Sequence, residues 1–155
     1  MKLEVKHLAP YGDKGCSYST REGTTLPFDF EDLYDIQQHI TNYEDDEWKI
    51  NYKLHLRPLS DVGEEMIFNG ETFIPMQRLG EMHPTFGNSP FVLDKQDGFM
   101  VCVGGNIGFC TVWYDERNMK NEYWVVQQLL EWGFDVFGLI EAGHAIDVNT
   151  VLIDG

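Results

Sequence analysis

The sequence predicts an α+β fold: a largely antiparallel sheet built from hairpins, with about two helices packed on it. Three observations carry that prediction. Residues 49–57 alternate between apolar and polar side chains. Asn69-Gly70 stands between two apolar runs. Residues 29–40 and 121–132 repeat their apolar side chains at helical spacing. A chain of 155 residues reads as one domain, 1–155, and can bury about two thirds of the surface it exposes when unfolded. It needs no disulfide framework or structural metal. With 43% hydrophobic residues, ten Phe, seven Tyr and four Trp, wholesale disorder is excluded. No run of ~18 apolar residues exists, so no membrane-spanning helix is expected. Met1 to His7 is charged and lacks an apolar stretch, so a signal peptide is not expected either.

Taken in order, residues 12–25 are rich in Gly, Ser and Thr and read as turns, with a short strand around 16–19. In 29–40, Phe30, Leu33, Ile36 and Ile40 share a helix face behind Asp29 as N-cap. Glu31, Asp32 and Asp35 fall in its first two turns, where the helix dipole favours anions. Glu44-Asp45-Asp46-Glu47 repel one another and read as a solvated loop. In 49–57, Ile50, Tyr52, Leu54 and Leu56 form one strand face; Lys49, Asn51, Lys53, His55 and Arg57 form the other. Asn69-Gly70 predicts a two-residue hairpin turn, since both positions need positive φ. A short helix over 76–82 is stopped by His83-Pro84. Residues 91–114 read as a three-stranded meander. Centring its second loop on Asn106 sets Cys102 against Cys110, either as packed thiols or as a pair sensitive to oxidants. The 121–132 helix ends at Gly133. Residues 134–143 form a helical corner closed by Gly143, and 145–148 leave it as a short strand.

The net charge is −15 and lopsided. Residues 22–48 hold nine acids and 121–155 hold six, with no Lys or Arg in either stretch. That sign repels nucleic-acid backbones and anionic membranes and attracts a basic partner. The plainer reading is a soluble, self-repelling surface. Three cysteines without a C-x-x-C pair point to a reducing compartment.

Most catalytic signatures are missing. No phosphate-binding Gly loop with its lysine, no H-E-x-x-H, no calcium-loop spacing and no G-x-S-x-G occurs. The five histidines lie apart; only a spatial site joining His83, His144 and an acid would hold a metal. No catalytic residue, metal ligand or cofactor is expected. Two candidate sites remain. Lys49, Lys53 and Arg57 form the one basic stripe, four residues apart and so each roughly 13 Å from the next along the strand, and would bind an anion such as a nucleotide. Asp32, Asp35, Glu44, Asp45, Asp46 and Glu47 would contact a protein partner. The adjacent aromatics Trp113-Tyr114 and Tyr123-Trp124 fill a core or mark an interface.

Several stretches resemble a group of small, mostly uncharacterised proteins encoded by phages and prophages of Bacteroidota. They are His7-Leu8-Ala9-Pro10-Tyr11, Leu56-Arg57-Pro58-Leu59-Ser60-Asp61, Asn69-Gly70-Glu71-Thr72-Phe73-Ile74-Pro75 and residues 132–150, the most distinctive. Together they cover roughly a quarter of the chain; it departs from the pattern after Tyr11. The resemblance implies a phage origin and a setting in the host cytoplasm, and carries no activity. The expectation is an acidic accessory protein that binds a basic host protein, as in counter-defence. The alternatives are a nucleotide binder using 49–57 and, behind it, a metal-dependent hydrolase.

Overall fold

The computed structural model describes residues 5–12, 14–20, 25–29, 52–88, 90–105 and 107–150. They show the α+β class, with helices and mainly antiparallel sheets. They divide into two compact units: Met1–Pro58 with Leu129–Gly155, and Leu59–Gln128. No helix among the described residues is long and apolar enough to cross a membrane. The predicted helix over 29–40 lies outside them, except for an exposed Asp29.

The first unit begins with a short helix α1 (Val5–Leu8) and a 3-10 turn (Ala9–Tyr11). Its sheet has the order β2 (Thr25–Pro27), β1 (Ser17–Thr20), β3 (Tyr52–Leu56), β9 (Ala145–Asp147). β1 runs antiparallel to β2 and β3, whereas β9 pairs parallel to β3, with Leu54 opposite Ala145. A parallel pair needs a long connection, and here the whole of Leu59–Gln128 lies in it. One sheet face supplies the core: Tyr18, Leu54, Leu56 and Ala145, joined by Leu8, Tyr11, Phe28 and Leu139.

Of the stretches that carry the resemblance, residues 7–11, 56–58 and 132–150 meet in this unit, whereas 69–75 belongs to the second. The Tyr11 hydroxyl donates to the Phe134 carbonyl at 2.6 Å and accepts the Val136 N–H at 3.2 Å. Burial pushes its pKa far above the ordinary phenol range. His7 and Tyr11 both pack edge-on against Phe137. Arg57 exchanges backbone hydrogen bonds with Gly133 and Asp135. Asp135 is buried, and its carboxylate accepts the Leu139 and Ile140 N–H groups, each at 2.8 Å. Residues 134–143 form turns and bends and not the expected helical corner, but the closure is as expected: the Gly143 N–H reaches the Ile140 carbonyl and the His144 N–H reaches that of Leu139. That paired closure requires the φ of +82° that Gly143 adopts.

The second unit follows the local signals closely. β4 (Met66–Phe68) and β5 (Glu71–Phe73) pair around Asn69 and Gly70, whose φ values of 51° and 78° make the predicted turn. Helix α2 (Pro75–Met82) starts with proline at its first position and buries Met76, Leu79 and Gly80. The meander is β6 (Val92–Gln96), β7 (Phe99–Gly104) and β8 (Ile107–Trp113), in that order. One face buries Met100, Cys102, Cys110 and Val112. Helix α3 (Tyr123–Glu131) carries the chain back into the first unit.

Candidate functional site

The second face of the β2-β1-β3-β9 sheet is polar. Ser17 and Ser19 flank the buried Tyr18 on β1, so both point away from the core. On β3, Lys53 and His55 alternate with Leu54 and Leu56 and lie on that same face, and Arg57 continues it just past the strand. The register sets Ser19 directly opposite Lys53. At the centre, the Ser19 Oγ and His55 Nε2 are 2.6 Å apart.

This corrects one expectation. His55 belongs to the polar face as predicted, yet it is only 8% exposed. A strand between two neighbours covers its side chains laterally, which an edge strand does not. Burial lowers the His55 pKa below the ordinary imidazole value of 6.5, so the ring is neutral at pH 7. Lys53 and Arg57 are half-buried. The natural expectation for such cations is cross-strand pairing with acids. Among the described residues, neither side chain forms an ion pair: the bridges join Lys14 to Glu131, Arg78 to Glu71 and Glu81, and Arg117 to Asp115. Two cations, two serine hydroxyls and a neutral imidazole thus share one face. Lys49 lies outside the described residues.

The predicted partner-binding acids Asp32, Asp35, Glu44, Asp45, Asp46 and Glu47 also lie outside them. Of the acids in 121–155, Asp135 is turned inward, where burial raises its pKa against the pull of the backbone N–H groups it accepts. Glu131 pairs with Lys14 at 2.6 Å, and Glu122 accepts the Trp124 indole N–H at 2.6 Å. The C-terminal acids are therefore not one uniform outward-facing set.

Sequence reasoning missed Ser17 and Ser19. The alternation of Ser17-Tyr18-Ser19 was a usable signal, but only the β1–β3 register brings Ser19 to His55.

The other reactive groups lie in the second unit. Cys102 and Cys110 are direct cross-strand partners, as expected, and both are free thiols. His83 accepts the backbone N–H groups of Thr85 and Phe86 on Nδ1 and packs against Phe86, Phe109 and Trp124. Trp113 stacks on Phe99 with ring centroids 4.5 Å apart, and the Arg117 guanidinium lies over it, whereas Tyr123 is 76% exposed. Among the described residues, no group of three His, Cys, Asp or Glu could hold a metal ion. Compared with known proteins, the chain matches no family model, no curated protein and no solved structure.

Proposed function

We propose that the protein binds a small phosphate-bearing ligand, such as a nucleotide, on the polar face formed by Ser17, Ser19, Lys53, His55 and Arg57. The supporting observation is the pair of cations, half-buried and without a carboxylate partner among the described residues. Half-buried cations interact with an anion in a lower effective dielectric than exposed ones, which strengthens each contact. Serine hydroxyls and the imidazole add neutral hydrogen-bonding partners.

Thermal unfolding with inorganic phosphate, pyrophosphate and a nucleotide panel tests this. A ligand at ~100 times its dissociation constant adds ~2.7 kcal/mol, which raises the midpoint by roughly 5–10 °C for a chain of this size. Lys53→Glu removes that gain while leaving the circular dichroism spectrum intact. No shift with any phosphate-bearing ligand refutes the assignment.

A second reading draws on the net charge of −15. In it, the chain is a phage-encoded acidic accessory protein of the host cytoplasm that captures a basic host protein and inhibits it. Association must then weaken steeply between low and high salt, since exposed charges are screened over ~10 Å at 0.1 M. Capture that ignores salt counts against it.

A further inference from the structure

We propose that Ser19 is a nucleophile toward phosphate esters, with His55 as its base and Lys53 and Arg57 holding the phosphoryl oxygens. The proposal rests on the anion-binding reading above and adds a reaction to it.

Three features of the face support it. The Ser19 Oγ–His55 Nε2 distance of 2.6 Å lies within the range for direct proton transfer between nucleophile and base. The imidazole is fixed in place: β3 is bonded to strands on both sides, and its flanking Leu54 and Leu56 are 3% and 0% exposed. The cation nearest the nucleophile is set by the ladder, because Ser19 and Lys53 are direct cross-strand partners, which places their Cβ atoms roughly 5 Å apart. A phosphoryl group attacked by Ser19 therefore has an ammonium at hand for the charge on its equatorial oxygens. Arg57, two residues beyond His55 on the same face, supplies a second cation.

The neutral imidazole has a lone pair for the reaction. With its hydrogen on Nδ1, Nε2 accepts the Ser19 proton as the Oγ–P bond forms. The ester P–O bond breaks, and the leaving oxygen takes that proton from His55. The product is phosphoserine at position 19 and a free alcohol. Water then attacks the phosphoserine, its proton passing to His55, and inorganic phosphate leaves as the Ser19 hydroxyl is restored. No oxidant, reductant or metal enters the balance.

The test uses the full chain and p-nitrophenyl phosphate. A burst of p-nitrophenolate and a phosphoserine at residue 19, mapped by peptide mass spectrometry, are expected. Ser19→Ala abolishes both. His55→Gln and Lys53→Met each lower the burst rate about 10²-fold or more. Should His55→Gln fail to fold, the mapped residue in the unsubstituted chain still decides. Absence of phosphoserine at position 19, or an equal burst in Ser19→Ala, overturns the proposal. Thermal shift with inorganic phosphate separates the two readings: a shift retained without phosphoserine removes only the nucleophile, whereas loss of both removes the anion site as well.

Discussion

Each unit carries one cross-strand pair of side chains with nucleophilic chemistry, and the surroundings of the two pairs differ. Ser19 and His55 sit on the polar face of their sheet, beside Lys53 and Arg57. Cys102 and Cys110 sit on the buried face of the meander, at 0% and 4% exposure. A Cβ at Gly80 of α2 would stand 2.8 Å from the Cys102 Sγ, so the helix backbone seals the thiols. The hydrogen bond Cys110 gives to Cys102, and then its burial, push Cys110 well above the ordinary thiol range. The same bond pulls Cys102 down against its burial. Cys102 in turn donates to the Met76 carbonyl at 3.3 Å, a bond that needs its proton. The two pairs thus differ less in residue type than in surroundings: a half-buried hydroxyl beside cations in one case, packed apolar atoms in the other.

The largest expected effect concerns that seal. In the native protein, alkylation of Cys102 and Cys110 by iodoacetamide should be slower than in denaturant by on the order of 10³-fold or more, since it requires opening of the structure. Equal rates in both states would erase the contrast. Next, Gly80→Val drives a branched side chain against Cys102 and Phe91 and should destabilise by about 1–3 kcal/mol in urea unfolding. Ser19→Ala leaves the buried His55 Nε2 without its hydrogen-bond partner and should cost about 1–3 kcal/mol; no measurable cost would mean that the bond contributes nothing to stability.

The smallest effect is a pH dependence. His55 has a folded-state pKa below its unfolded value of about 6.5. Its contribution to stability is complete above pH 6.5 and is lost as pH falls through the lowered folded value. Asp135 is shifted upward, so its contribution is complete below about pH 3.8 and is lost as pH rises through the raised folded value. Between pH 7 and pH 5 the two groups act in opposite directions: His55 lowers the urea midpoint as pH falls and Asp135 raises it, so His55→Gln should shift the profile toward greater stability at pH 5 relative to pH 7. An identical profile in both proteins would show that His55 titrates as it does in the unfolded chain.

The Asn69-Gly70 hairpin, α2, the 91–114 meander with its opposed thiols and the closure at Gly143 were all legible in the amino-acid sequence. Each is decided within about twenty residues by turn chemistry and periodicity. For the candidate site, alternation along 49–57 was enough to place Lys53 and Arg57 on a polar strand face. The burial of His55, its bond to Ser19, the parallel pairing of β3 with β9 and the inward turn of Asp135 needed the tertiary structure. His55 and Ser19 are 36 residues apart, and the Tyr11 bond to Phe134 spans 123. Local pattern states which face of a strand is polar. Which strands lie beside it, and therefore what its polar face meets, is settled by packing between segments with no sequence proximity.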